Sequence, residues 1–215
     1  KEMVRAYRFP IFESEGFEAD DVICSIVHRL ASLVEKVVII SSDKDMLQLV
    51  GGNVEVYNPY KEKGIVFTGD VVKEKFGVEP KKILDLIALM GDASDNIPGA
   101  CGIGEKTAKE LLAEFDDTYD LIKNRDKIKR ESVRKIIEEN IESIGLSRQL
   151  ATLRNDVPLD FKLEDLRVGD PDSDKLWELF SRLEFKGMLK KLSASTLPCA
   201  SRPVFEIEKR EAKDV

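Results

Sequence analysis

A run of four β-branched residues, Val37–Ile40, most constrains the fold that this chain can adopt. It follows residues 19–34, in which apolar side chains recur at three- and four-residue spacing and predict a helix. A continuous β-branched run is typical of a strand buried on both faces in a parallel sheet. We therefore expect an α/β fold. Because such sheets carry their sites at the carboxyl ends of strands, Ser41-Ser42-Asp43 is a candidate site segment.

The remaining patterns predict two short strands and then mostly helices. The strands are residues 54–57 and 65–67. The helices are residues 70–76, 80–90, 105–115, 118–124, 129–140, 143–153 and 174–192. We predict an α/β core over residues 1–96, a helical part over 97–192, and a linker or tail over 193–215.

Carboxylates fall in three short groups, each at a predicted loop or helix start. They are Glu18, Asp20 and Asp21 in GFEADD, Asp43 and Asp45 in SSDKD, and Asp92 and Asp95 in GDASDN. Carboxylates this close together repel one another unless a cation neutralises them. Mg²⁺ and Mn²⁺ prefer oxygen ligands of this kind. The sequence therefore predicts a two-metal site suited to phosphodiester or phosphate-ester chemistry.

Each acidic group also has a simpler interpretation. The chain holds 41 Asp and Glu residues, so any one pair is compatible with ordinary solvated acids. Asp20 and Asp21 stand where acids cap a helix and complement its dipole. We expect Asp43 and Asp45 to point the same way from an extended segment, and Asp92 and Asp95 to share one side of a helical turn.

A glycine turn leads into a helix in the segment GIGEKTAKELL. Backbone N–H groups at such a turn and helix N-terminus favour a phosphate. The candidate contacts are Gly102, Gly104, Lys106, Thr107 and Lys109. Two small-residue turns followed by a helix, with lysines on its first turns, predict a phosphate-binding element over residues 97–115.

A basic segment follows at residues 123–135. It has seven basic and two acidic residues, a local charge of +5, although the whole chain carries −7. Lys129 and Arg130 are its candidate phosphate contacts. The alternative is a solvated helix face with internal ion pairs.

Composition excludes several other classes of site. His28 is the only histidine, so the chain has too few histidines for a histidine zinc site, and a Ser-His-Asp triad would depend on this one residue. Cys24, Cys101 and Cys199 lie far apart and give no disulfide framework, which fits a reducing cytoplasm. No apolar run is long enough for a membrane helix, so we expect a cytoplasmic location and no membrane partner.

Four motifs together resemble a known family. They are GFEADDVI, SSDKDMLQLV, LMGDASDNIPGACGIGEKTAKELL and LFSRLEFKGML, in this order and spacing. The chain resembles the 5′→3′ exonuclease domain of bacterial DNA polymerase I, within the 5′-nuclease and flap endonuclease superfamily. The resemblance runs from about residue 10 to residue 192.

The resemblance implies a PIN-like parallel-sheet nuclease core followed by a helix–two-turns–helix element over residues 97–115. The six aspartates of the three acidic groups would act in catalysis and, with Glu18, bind two or three Mg²⁺ or Mn²⁺ ions. The helix–two-turns–helix element would grip duplex DNA, with K⁺ in its turn. The implied substrate is a 5′-flap or nicked duplex, in replication and repair, with a polymerase domain in the same native chain.

Family members begin with a strand that ends in a metal-binding aspartate, followed by a helical arch, and neither precedes Lys1. We therefore expect a sheet left open at a buried edge. We also expect residues 1–215 alone to aggregate or partly unfold, and to cleave slowly.

Two other functions stay open. The first is a catalytically incomplete module that binds duplex DNA without cleaving it. The second is a phosphatase with a covalent aspartate, which leaves the glycine turns and the basic segment unexplained.

Overall fold

The computed structural model describes residues 1–60 and 64–194, so most of the predicted tail lies outside the described residues. The helices are α1 (Glu2–Ala6), α2 (Ala19–Leu30), α3 (Gly69–Phe76), α4 (Ile83–Met90), α5 (Glu105–Glu114), α6 (Thr118–Lys123), α7 (Glu131–Glu139), α8 (Ile141–Ala151), α9 (Ser173–Arg182) and α10 (Lys186–Ala194). The strands are β1 (Val37–Ile40), β2 (Val54–Asn58) and β3 (Ile65–Phe67). Short 3-10 helices cover Asp45–Leu49, Pro80–Lys82, Arg125–Lys127 and Leu163–Leu166.

The three described strands form one mixed sheet in the order β1-β2-β3. β1 pairs with β2 in parallel, with Val37 opposite Val54. β2 pairs with β3 in antiparallel fashion, with Val56 opposite Phe67. The predicted strands and the α/β class are confirmed, and the sheet combines a parallel pair with a hairpin.

The prediction that β1 is buried on both faces is wrong. Ile39 is buried, whereas Val38 is 48% exposed and Ile40 is 70% exposed. Within the described residues β1 pairs with β2 alone, so it is an edge strand. A β-branched run indicates a preference for strand structure. It does not indicate which face of the sheet other elements will cover.

Helix α2 is shorter than the predicted helix over residues 19–34. The side-chain amide of Asn53 donates hydrogen bonds to the carbonyl oxygens of Ala31 (2.7 Å) and Val34 (2.8 Å). These bonds satisfy backbone acceptors that further helical turns would otherwise use. The chain therefore leaves the helix at Leu30 and reaches β1.

The predicted helix over residues 174–192 is two helices, α9 and α10. The backbone N–H of Phe185 donates to the carbonyl oxygen of Phe180 (2.9 Å), which closes α9. Glu184 adopts a left-handed backbone conformation, with φ of 54°. Because that conformation ends a helix, one periodic apolar pattern spans two packed segments.

The main hydrophobic core runs from Val27 to Ala151. Its centre is α4, whose Ile83 and Leu89 are buried and which packs on α5 and α8. One continuous core thus crosses the boundary that the sequence places between residues 96 and 97, and the division into two parts stays a prediction.

A second, smaller core joins the first helix to the last two. Ala6, Leu176, Leu179 and Phe180 are buried in it. Trp177 stays 50% exposed, so it is not one of its buried members. None of the helices among the described residues is long and apolar enough to cross a membrane.

A candidate metal site beside a nucleic-acid interface

The chain turns sharply where β1 ends. Ser41 Oγ accepts a hydrogen bond from the backbone N–H of Asp43 (3.0 Å), and Asp43 Oδ1 accepts one from the N–H of Asp45 (2.9 Å). Asp45 then begins a 3-10 helix whose Met46 and Leu47 are buried. The expectation of an extended segment is wrong, because side-chain hydrogen bonds favour the turn.

The third acidic group lies on a closed turn after α4. Asp92 and Ile97 exchange both backbone hydrogen bonds, at 3.0 and 2.8 Å. Gly91 and Gly99 make this closure possible, since a Cβ on Gly99 would lie 2.3 Å from the backbone nitrogen of Gly91. The turn carries Asp95 to the end of β1.

Three carboxylates meet at this place. One oxygen from each of Asp43, Asp45 and Asp95 lies within 4.8 Å of the other two. Oδ1 of Asp45 is buried and has no hydrogen-bond partner among the described residues. A buried acceptor without a donor costs free energy, and a bound cation would remove that cost.

The electrostatics of the site agree with that conclusion. Burial raises the pKa of Asp45 to about 7, with Asp43, Asp95, Asp92 and Asp20 adding repulsion. Burial also raises the pKa of Asp20, helped by the charge of Asp43. Groups that resist ionisation together become full anions when a divalent ion binds them. The oxygen donor set fits a hard divalent cation.

Asp92 is held differently from this trio. Its carboxylate accepts hydrogen bonds from Lys44 Nζ (3.1 Å) and from the backbone N–H of Ser94 (2.8 Å). Burial acts to raise the pKa of Asp92, but these bonds outweigh it and the pKa lies below the usual value. Lys44 is not among the site residues predicted from the sequence, although its position between Asp43 and Asp45 indicated that it lies close to the site.

The first acidic group forms the N-terminus of α2. Asp21 accepts hydrogen bonds from the backbone N–H groups of Glu18 (3.4 Å) and Arg154 (2.8 Å). The capping interpretation therefore holds for Asp21, and that same carboxylate also fastens the segment that follows α8. The raised pKa of Asp20 places it within electrostatic reach of Asp43 and Asp95.

A cleft of 740 Å³ opens beside these acids. Its acidic wall holds Glu18, Asp20, Asp21 and Asp45. Another wall is formed by α8 and its neighbours, and includes Tyr119, Arg148 and Arg154. The sequence did not predict this wall, because its members are scattered over more than thirty positions with no motif to unite them.

Helix α5 starts at the glycine turn, as the sequence predicts. Gly102 has φ of 96°, and Gly104 is the N-cap, with no side-chain cap for the first N–H groups. Lys106 is exposed and has no acidic partner within the described part of the chain. Thr107 is half-buried on the same turn, and Lys109 pairs with Glu105 at 2.5 Å.

The basic segment is partly neutralised. Lys129 pairs with Glu114 (3.6 Å) and Arg130 with Glu110 (2.6 Å), so both basic groups join α5 to the start of α7. Helix α7 begins at Glu131, two residues later than predicted. Arg125 and Lys135 also have glutamate partners. Only the Lys135–Glu131 pair lies within the segment, as the alternative interpretation expects, and the other three pairs use glutamates outside it.

Known proteins share both the sequence and the fold. Residues 1–77 match the family described as "5'-3' exonuclease, N-terminal resolvase-like domain". Residues 78–174 match "5'-3' exonuclease, C-terminal SAM fold". The T5 5'-exonuclease, solved with divalent zinc ions bound, superposes with a TM-score of 0.63 at 22% identity over 86% of this chain and 62% of its own. The catalytic core of Rad2 in complex with DNA substrate gives 0.62 at 18% identity over 92% of this chain and 67% of its own. At these identities the likeness supports the fold alone.

Curated relatives are closer in sequence. DNA polymerase I of Caldicellulosiruptor bescii is 42% identical over 91% of this chain and 23% of its own length, so the chain spans about a quarter of that relative. A 5'-3' exonuclease of Aquifex aeolicus is 39% identical over 95% of this chain and 69% of its own length. That extent of shared sequence places this chain in the 5'-3' exonuclease family.

Proposed function

We propose that this chain hydrolyses DNA phosphodiester bonds as a metal-dependent 5′→3′ exonuclease and 5′-flap endonuclease. One observation carries the proposal: Asp43, Asp45 and Asp95 converge around a buried Asp45 oxygen that has no partner among the described residues. The names of the relatives, DNA polymerase I and 5'-3' exonuclease, support it. The native protein would then carry a polymerase domain in the same chain.

Each carboxylate has a part in this proposal. Asp43, Asp45 and Asp95 hold the first divalent ion, Mg²⁺ or Mn²⁺, and Asp20 and Asp92, whose charges act on Asp45, would contribute to a second or third. Glu18 and Asp21 fix the N-terminus of α2, which presents Asp20. Bound ions would supply the charge that activates water and stabilises the leaving oxygen. The protein residues orient the ions and exclude alternative geometries.

The test is cleavage of a 5′-flap DNA with Mg²⁺, with Mn²⁺ and with neither. We expect cleavage only with a divalent ion, and a loss of about a hundredfold or more in Asp45→Asn, since that change removes an ionic ligand. Asp160→Asn is the matched control, because Asp160 is an exposed aspartate outside the cleft. Mn²⁺ binding by calorimetry should fail in parallel in Asp45→Asn alone.

Two results would contradict the proposal. Cleavage that persists in chelator would exclude the metal mechanism. Tight flap binding with no cleavage under any metal would favour the catalytically incomplete DNA-binding module instead.

We further propose that the turn before α5 grips the DNA backbone. Gly102 and Gly104 leave backbone N–H groups open to a phosphate, and Lys106 and Thr107 stand on the first helical turn. Three further basic residues contribute to DNA binding once they exchange their glutamate partners for phosphate: Lys109, Lys129 and Arg130. A monovalent cation such as K⁺ in the turn belongs to the same proposal.

Lys106→Ala tests this grip through the salt dependence of DNA binding. Removing one phosphate contact should lower the slope of log affinity against log salt by about one unit, to a similar extent for all sequences. Lys190→Ala is the control, since Lys190 is an exposed lysine on α10. An unchanged slope in Lys106→Ala would show that the turn does not bind the backbone.

A further inference from the structure

The wall of the cleft that α8 and its neighbours form has no role in the function proposed above. We propose that this wall receives a single-stranded segment of the substrate: one nucleobase stacks on Tyr119 while the backbone passes over Gly145. The inference rests on the proposed function, because it takes the strand that enters the cleft to be DNA.

Tyr119 offers an aromatic surface in a polar cleft. Its side chain is 65% exposed although it lines the cleft. The guanidinium carbon of Arg148 lies 4.7 Å from the ring centroid and covers one face. Because the residue is otherwise largely exposed, a planar group can reach the ring. Nucleobases of any sequence stack on such faces, which is how proteins bind single strands without reading them.

The platform under this ring is rigid. Arg148 forms an ion pair with the buried carboxylate of Asp85 and donates to the hydroxyl of Thr118 (3.1 Å). Asp85 in turn accepts hydrogen bonds from the backbone N–H and the hydroxyl of Thr118, both at 2.9 Å. Within the described residues only Nη1 of Arg148 makes hydrogen bonds, so its other nitrogens remain able to donate to a phosphate. A fixed aromatic and guanidinium pair loses little conformational freedom on binding.

Gly145 leaves free space in the lining of the cleft. It lies within α8 and lines the cleft, yet no atom is found within 4 Å of the position that its Cβ would take. Glycine weakens a helix, and a glycine in the middle of one usually has a packing or functional reason. Gly145 is exposed, and no described atom outside its own helix backbone fills the space beside it, so the backbone of a strand can approach α8 closely here.

Continuity and size favour a single strand as the occupant. Asp20 and Asp45 line the same cleft as Tyr119, so a phosphate at the carboxylates and a neighbouring base at the ring share one space. The cleft volume of 740 Å³ falls in the range of small-ligand sites, about 300–1,000 Å³. That size suits one or two nucleotides of a strand, and the duplex would stay outside.

The experiment measures binding separately from cleavage. A 5′-flap DNA carries 2-aminopurine beside the scissile phosphate, and Ca²⁺ replaces Mg²⁺ so that the complex persists. The variants are Tyr119→Ala and Gly145→Met, with Tyr119→Phe as the conservative variant that keeps the ring. Thermal melting of all three confirms that they are folded.

We expect wild type and Tyr119→Phe to quench the 2-aminopurine, because the base stacks on the ring. We expect Tyr119→Ala to abolish the quenching and to weaken flap binding about tenfold. Gly145→Met should weaken binding to a similar extent, because its side chain would occupy the space in the cleft beside α8. These effects would appear whether or not the wild type cleaves DNA, so they are independent of the outcome of the cleavage test.

Unchanged quenching and affinity in both Tyr119→Ala and Gly145→Met would overturn the inference. A lower melting temperature for Tyr119→Ala with unchanged binding would overturn it too, since Tyr119 would then only cover Arg148. Absence of flap binding by the wild type would have the same consequence.

Discussion

Asp45 shows how the surroundings of a residue alter its pKa. Its pKa is raised to about 7 by burial and by four neighbouring aspartates, so the folded protein holds a proton that the unfolded chain releases at about pH 4. Stability therefore falls as pH rises between these two values, because the folded state must give up that proton. The raised pKa of Asp20 acts in the same direction.

The first prediction concerns this pH dependence without metal. In chelator, the melting temperature should fall between about pH 5 and about pH 8, and Asp45→Asn should flatten that fall. At the higher pH the variant should melt above wild type by about 2–4 °C for each kcal/mol of repulsion that it relieves. Saturating Mn²⁺ should stabilise wild type and leave Asp45→Asn unchanged.

The control for this effect is Asp160→Asn, which should follow the wild-type pH profile. A wild-type melting temperature that rises over the same range would show that Asp45 is ionised in the folded protein at low pH.

A second prediction at this scale concerns Asp85 and Arg148, a buried ion pair that the sequence did not suggest. Their side chains are 4% and 18% exposed. Arg148→Met should destabilise the fold by about 3–5 kcal/mol, since it leaves a buried carboxylate without its cation. The double variant Asp85→Asn/Arg148→Met should recover part of that loss. Urea unfolding of the four proteins gives the coupling, and strictly additive losses would contradict the prediction.

At the scale of elements, the end of α4 and the turn after it depend on backbone contact. Gly99 has φ of 64°, and its Cβ would lie 2.3 Å from the nitrogen of Gly91. The hydroxyl of Ser147 on α8 accepts the Gly99 N–H (2.9 Å), and the hydroxyl of Ser143 donates to the Gly99 carbonyl (2.6 Å). This contact fixes where the turn carries Asp95.

Gly99→Ala should therefore destabilise the protein by more than about 3 kcal/mol, because both the conformation and the space are unsuitable for a side chain. It should also weaken Mn²⁺ binding, since Asp95 shifts with the turn. Gly145→Ala is the matched control, and it should stabilise the protein by about 0.5–1 kcal/mol because Gly145 lies in an open helical position. Equal stability of the two variants, measured by denaturant unfolding, would refute the argument.

At the scale of the whole molecule, β1 leaves a hydrophobic edge. Val38 and Ile40 are 48% and 70% exposed, and within the described residues β1 has a partner on one side only. Unpaired edge strands with apolar side chains associate with other chains. We predict that residues 1–215 self-associate through this edge as concentration rises.

Val38→Lys should reduce that self-association, because a charged side chain at a sheet edge opposes pairing. Val168→Lys is the control, since Val168 is a similarly exposed valine, at 56%, outside the sheet. Light scattering over a concentration series measures the difference. A wild type that stays monomeric over the whole concentration series would show that this edge does not cause self-association.

The sequence alone determined the parts that depend on local chemistry. The strand at residues 37–40, the hairpin strands and the helix from Glu105 follow from propensity and turn residues, which act over a few positions. The three acidic groups were also visible, since their density within short segments needs no knowledge of the fold.

Tertiary packing determines how distant segments combine. It exposed one face of β1, brought Asp95 to Asp43 and Asp45, engaged Asp92 with Lys44, and placed Tyr119 and Arg148 in the same cleft as Asp20, Asp21 and Asp45. Each of these outcomes depends on which surfaces pack together, and packing free energy is set by contacts between residues far apart in the chain. A pattern within one segment carries no information about the segment that will cover it.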